Sequence, residues 1–408
     1  VARKLDLDTL LYGCADTSFD AGIRIDVELE PLAGDGGPVK PATYAGGTYQ
    51  RDRRWAIPTA AEPTDVIVID NVPSQANRLE DALRRHRTEI GIPELVLDLS
   101  DLALPAHLPR QLSSLQFPHR NGDAYLRDAT LDGTDFMKTD LGKSIFAATP
   151  ENCGALVAWF PQALLYGFWQ SHLGKKRQNT KHARAWVSEI IGWKPASPAS
   201  IETRTFGVKG DPLNLSIEEA VSVNVNDQTK WDIGTGGKAS DGKNTKGKKE
   251  KLSEIGHGQV PFTDKDAALG PVSFSRITQR ATLSFAQLQR LSLGQKALGD
   301  GDKDTAMRAL VVAFGLYAHQ LAFGHGFALR SGAALRPRTK VLTWLGADAD
   351  EECAPGNAND AQALLESARS HAESAGVPLD GWGQPPTILL PKDNLKKAIA
   401  STWPELAD

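Results

Sequence analysis

The chain has 408 residues, enough for two or three ordinary domains or for one core with sizeable insertions. Its 41% apolar and 24% charged content excludes wholesale disorder. Lys+Arg 46 against Asp+Glu 50, a net charge of −4, excludes a globally cationic nucleic-acid binder but leaves room for a local basic surface. The alternation Ile23-Arg-Ile-Asp-Val-Glu-Leu-Glu30 predicts a strand with one buried face. Val66–Ile69 reads as a fully buried strand, and Asp70-Asn71 as the cap of a helix that has Pro73 in its first turn and Ala76, Leu79 and Leu83 inward. Glu94–Ser100 is a further strand, and residues 105–155, rich in Pro and Gly, read as an irregular insertion.

Lys181–Gly192 has the spacing of a helix with Trp186, Val187, Ile190 and Ile191 inward. Residues 230–251 hold seven Lys and few apolar groups, which predicts a mobile surface loop. Val272–Thr278 alternates as a strand, Ser284 caps a short helix with Leu288 and Leu291 inward, and Asp304 caps a long apolar helix to Gly324. Helices over 359–376 and 391–403 close the chain. Strands and helices interleave with wide polar excursions, which predicts an α+β fold with large insertions. No run reaches the length of a membrane span, and residues 1–20 mix Arg3 and Lys4 with several Asp, unlike a signal peptide. Cys14, Cys153 and Cys353 form neither a disulfide framework nor a metal knuckle. The expected location is the cytoplasm.

Enzymatic motifs fail on inspection. Gly237–Asn244 approaches a P-loop but ends in Asn244, where Ser or Thr would hold magnesium. Asp300-Gly-Asp302-Lys-Asp304 imitates a calcium loop, yet Thr305 stands where Gly is required. His319 and His325 are six apart, a poor metal spacing, and Asp16 and Asp20 are candidate metal-binding carboxylates only in isolation. No catalytic group, metal site or cofactor is expected. Three basic features remain. Lys175, Lys176, Arg177, Lys181 and Arg184 occur between Trp169 and Trp186 without one acidic residue, a pattern suited to single-stranded nucleic acid. Ser74, Gln75, Asn77 and Arg78 fall in the first turns of a helix, where backbone N–H groups and a guanidinium suit a phosphate. Arg330 and Ser331 precede Gly332 in a turn.

The run Ile69-Asp-Asn-Val-Pro-Ser-Gln-Ala-Asn-Arg-Leu-Glu80 resembles a signature of the backbone subunit of the type I-G (formerly I-U) CRISPR effector complex, in the RAMP superfamily. Pro41–Tyr44, Arg184–Ile190, Gly210–Leu213, Leu283–Leu288 with Arg290, and Leu329–Ser331 are similar in order and spacing. The resemblance implies one RRM-like (ferredoxin-like) palm over 1–408, with residues 105–155 finger-like and 203–271 thumb-like. It implies a non-catalytic subunit that polymerises along crRNA in a Cascade-type complex and presents it for pairing with target DNA. Partners would be further copies of the chain, a large subunit, a guide-processing or capping subunit, and a helicase–nuclease recruited in trans. The contacts carried over are Ser74, Gln75, Asn77, Arg78, the Lys175–Arg184 cluster, Arg330 and Ser331. The alternative is a metal-dependent, RNA-cleaving backbone subunit of the type III kind, with Asp16 or Asp20 as its acid.

Overall fold

The computed structural model describes residues 3–44, 48–170, 180–196, 221–224, 227–233, 248–250, 269–294, 301–354 and 356–403. Two units are distinguished: Val1–Ala42, Gln50–Pro195 and Ser273–Asp408 form one, Thr43–Tyr49 and Ala196–Val272 the other. In chain order the first unit runs α1 (Leu7–Cys14), β1 (Gly22–Pro31), β2 (Arg51–Arg54), β3 (Thr64–Asp70), α2 (Val72–Arg85), β4 (Trp186–Pro195), β5 (Phe274–Ser284), α3 (Gly301–Phe323), β6 (Phe327–Arg330), β7 (Ala333–Leu345), β8 (Asp350–Cys353) and α4 (Ala358–Ser374), with shorter pieces between them.

The expected alternation of β1 holds: Ile23, Ile25, Val27 and Leu29 are buried, while Arg24, Asp26, Glu28 and Glu30 face outward. β1 is central in a curled antiparallel sheet ordered β6-β7-β1-β5-β4-β3-β2, and β8 pairs with the far half of β7. The helices cover its apolar face. α2 starts as expected, with Asn71 accepting from the Ser74 N–H at 3.1 Å and Leu79 and Leu83 fully buried. α3 is long and apolar enough to cross a bilayer, yet nearly all of that stretch is buried against α1, α2 and α4. It begins at Gly301, so Asp304 lies inside its first turn and is not the cap expected; its carboxylate accepts from the Leu293 N–H at 2.9 Å.

Two further expectations fail. Residues 186–195 form β4, not a helix. Trp186, Ser188 and Ile190 point inward and Val187 outward, but the register against β3 shifts between Ile190 and Ile191, leaving Ile190, Ile191 and Gly192 all buried. That irregularity gives a strand the spacing of a helix. Residues 105–155 are likewise regular. Strands Gln111–Ser113, Ala129–Leu131 and Thr134–Asp135 join Leu95–Asp98 and Thr387–Pro391 in a second sheet of the same unit.

The second unit, within its described residues, has an antiparallel three-stranded sheet of Asp227–Ile233, Val221–Asn224 and Lys248–Glu250. Both ends of the expected loop 230–251 are therefore strand. In the same unit the Tyr49 hydroxyl donates to the Gly270 carbonyl at 2.6 Å. The P-loop-like run 237–244 lies outside the described residues.

Candidate nucleic-acid interface

The last residue of β3, Asp70, is fully buried and gathers four of the basic or polar residues expected at a phosphate site. Ser74 Oγ donates to Asp70 Oδ1 at 2.8 Å, Gln75 Nε2 to Oδ2 at 2.5 Å, and Arg78 Nε to Oδ2 at 2.9 Å. From the last residue of β6, Arg330 Nη2 donates to Oδ1 at 2.7 Å and its Nη1 to the Ile69 carbonyl at 2.9 Å. Arg78 Nη2 also donates to the Leu329 carbonyl at 2.9 Å. Burial alone would raise the Asp70 carboxyl, but the Arg78 guanidinium, Gln75 and Ser74 together hold it below the usual carboxylate range.

The knot continues inward. Gln75 is buried, and its Oε1 accepts from Gln279 Nε2 at 2.8 Å, while Gln279 Oε1 meets His319 Nε2 at 3.2 Å. Gln75 therefore faces the core and not a ligand. Asn77 and Ser331 are exposed, with Gly332 at φ 73 completing the Ser331-Gly332 turn.

A second group lies on a two-stranded ribbon, Phe168–Gln170 with Thr180–His182, in which Trp169 pairs with Lys181 and Phe168 with His182. Phe168, Gln170 and His182 point inward; Trp169 and Lys181 point outward. The ribbon's root is built on a buried ion pair. Arg120 Nε and Nη2 donate to Glu80 at 2.7 and 2.9 Å, and its Nη1 donates to the Gly167 carbonyl at 3.0 Å. Arg184 shares the field of that carboxylate but forms no hydrogen bond or ion pair among the described residues, and partial burial together with the like charge of Arg120 lowers its pKa. Lys175, Lys176 and Arg177 lie outside the described residues.

The outward face of the main sheet is charged but neutralised. Arg24 and Arg280 both donate to Asp26, at 2.9 and 2.6 Å, Arg54 pairs with Glu189, and Arg336 donates to Glu30 at 2.9 Å. Arg276 lies over the Trp193 ring at 5.2 Å.

The two carboxylates weighed for metal chemistry are engaged elsewhere. Asp20 accepts from Trp344 Nε1 at 2.7 Å and from the Ala347 N–H at 2.9 Å. Asp16 accepts at 2.6 Å from Arg308, a buried guanidinium that also donates to the Cys14, Gln289 and Leu291 carbonyls. Among the described residues no group of three or more His, Cys, Asp or Glu is arranged to hold a metal ion. Burial pushes the thiols of Cys14 and Cys153 up to about 12, the wrong direction for a nucleophile.

Residues 23–196 match the family model of CRISPR-associated protein GSU0053. The match supports a CRISPR-associated protein. It spans β1 through β4, and so includes Asp70, the first turns of α2 and the Trp169 ribbon. No curated protein matches the chain. Sequence reasoning singled out Ser74, Arg78 and Arg330 but missed Asp70 as their common partner, which it read as a cap. It also gave Trp169 and Trp186 the same role, whereas Trp186 is core. The in–out alternation Phe168-Trp169-Gln170 was the available signal.

Proposed function

We propose that this chain is a non-catalytic guide-RNA-binding backbone subunit of a CRISPR interference complex, of the type I-G, RAMP-superfamily kind. The observation that carries the reading is strand order. The elements β1, α2, β4, β5, α3 and β7 occur in that chain order, with β2 and β3 inserted before α2 and β6 before β7, and in the sheet the strands lie β7-β1-β5-β4. That order supports reading the sheet as the β-α-β-β-α-β path of a ferredoxin-like, RRM-type palm, a scaffold that recurs in RNA binding. β2 and β3 extend it beyond β4, residues 105–155 are its finger-like part, and 203–271 its thumb-like part. Fold alone does not fix function, so the family match to residues 23–196 supplies the second support.

In this reading successive copies assemble along crRNA in the cytoplasm and hold it by phosphate and sugar, because guides of any sequence must fit. Sequence is then read by pairing with target DNA. A large subunit, a guide-processing or capping subunit and a helicase–nuclease recruited in trans complete the complex, and no cofactor is needed. Asn77, Ser331 and the Lys175–Arg184 cluster are the phosphate-facing residues, whereas Ser74, Arg78 and Arg330 are committed to Asp70. Gln75 positions the others. The type III-like alternative is disfavoured by the engagement of Asp16 with Arg308 and of Asp20 with Trp344.

The test is purification with and without a co-expressed guide. Co-expression should give a large particle with a high 260/280 nm ratio that contains RNA of guide length. The reading is overturned if both preparations are free of nucleic acid and monomeric.

A further inference from the structure

We propose that Trp169 is a stacking platform for an unpaired RNA base, with Lys181 and Arg184 holding the phosphates beside it. The inference rests on the reading that the chain binds single-stranded RNA, and it names a site for that contact. Trp169 is 60% exposed, although a large aromatic is costly to leave in water, and its indole N–H has no hydrogen-bond partner among the described residues. Directly across the ribbon stands Lys181, on the same face, exposed and without a hydrogen bond or ion pair among the described residues. Arg184 is also exposed and unpaired among the described residues, and its stem lies so close to Gly167 that a Cβ there would come within 3.2 Å of Arg184 Cγ.

The contrast with the open sheet face decides between the two surfaces. There most cations meet carboxylates, Arg24 and Arg280 at Asp26, Arg54 at Glu189, and Arg336 and Arg338 at Glu30, and Arg276 lies over the Trp193 ring. At the ribbon two guanidiniums, Arg120 and Arg184, share the single carboxylate of Glu80, and Lys181 adds a further charge. Lys181 and Arg184 beside one exposed aromatic face fit a polyanion that carries π-systems, which is single-stranded RNA.

The platform is held from below. His182 Nε2 meets the Leu164 carbonyl at 3.0 Å, and its ring lies 5.8 Å from that of Phe168. Trp169 and Lys181 are therefore presented from an anchored ribbon whose inner side chains are already packed, which lowers the ordering cost of binding.

The experiment uses the full chain freed of nucleic acid, titrated with a labelled oligouridylate and with an abasic strand of equal length. Wild type should prefer the oligouridylate. Trp169→Ala should weaken oligouridylate binding by roughly fivefold to a hundredfold and leave abasic binding unchanged, whereas Trp169→Phe should retain most of the affinity. Lys181→Ala with Arg184→Ala should weaken both strands and reduce the slope of log K against log salt by about 1.4. Equal binding of both strands by wild type and Trp169→Ala overturns the stacking site and leaves the RNA-binding reading standing. A Trp169→Ala effect on particle mass in the absence of RNA also overturns it, in favour of a protein contact. If wild type binds neither strand, the functional reading itself fails.

Discussion

Asp70 and Arg330, 260 residues apart, meet at 2.7 Å, with Arg330 Nη2 donating to Asp70 Oδ1. The contact ties the end of β6 to the end of β3, and Arg78 reaches the same carboxylate from α2. Asp70 thus fixes two cations that would otherwise repel each other. Removing it with Asp70→Ala leaves both guanidiniums part-buried against a hole, and should cost about 3–5 kcal/mol in denaturant unfolding. A loss under about 1 kcal/mol would mean that water replaces the carboxylate without penalty. The carboxyl titrates below its ordinary 3.8 in the folded chain. Its contribution is therefore fully present above that value and is lost as pH falls through the lower native one, so the variant should show a flatter acid limb.

His319 gives the opposite kind of pH dependence. Burial first, and the charge of Lys340 second, push its pKa from 6.5 down to about 3. The ring sits between Trp186 and Phe323, and Nε2 meets Gln279. An imidazole neutral when folded but protonated when unfolded favours the unfolded chain as soon as pH drops below 6.5. Stability is then complete above 6.5 and declines toward the native value. At pH 5 the loss is about 2 kcal/mol, and His319→Gln should abolish that increment. Urea unfolding of both proteins at pH 7.5 and pH 5 reads it directly; parallel losses would show a ring open to solvent.

Asp20 separates a scaffold from a nuclease. Its carboxylate satisfies the indole N–H of the fully buried Trp344 and the Ala347 N–H. Asp20→Ala should cost about 1–3 kcal/mol, the penalty for stranding buried donors. Wild type should leave RNA and DNA intact with Mg²⁺ or Mn²⁺. Metal-dependent cleavage that co-elutes with the protein and vanishes in Asp20→Ala would reverse the assignment.

What the sequence made legible follows from range. β1 alternates along its whole length, and Asn71 caps α2 from within three residues, so both were readable locally. β4 was not, because Trp186, Val187, Ile190 and Ile191 have the spacing of a helical face and only pairing with β3 and β5 exposes the bulge. The site divides the same way. Ser74, Arg78, Lys181, Arg184 and Arg330 stand out by residue type, but whether a cation is free or committed depends on a partner elsewhere in the chain. Asp70 lies 8 residues from Arg78 and 260 from Arg330, and no linear pattern joins them. Arg120 was missed for the same reason, since its partner Glu80 is 40 positions away.

Free and committed cations should behave differently on mutation. Lys175, Lys176 and Arg177 belong to the acid-free run between Gln170 and Trp186. Replacing all three by Ala should weaken unrelated single-stranded RNAs alike, since phosphate contacts carry no sequence information. The salt slope should fall by roughly 2, at about 0.7 per lost contact, with stability nearly unchanged. Arg78→Ala should do the reverse. It strands the Leu329 carbonyl and one side of Asp70, a loss of about 1–3 kcal/mol in unfolding, because Arg330, Gln75 and Ser74 still satisfy the carboxylate. Its salt slope should stay within about one contact of wild type. Measuring both variants by denaturant unfolding and by salt-dependent RNA titration gives four numbers. If Arg78→Ala keeps its stability and instead loses affinity and slope, Arg78 leaves Asp70 when RNA arrives, and the knot opens on binding. If the triple variant loses stability and not slope, those three side chains are part of the fold and contact no phosphate.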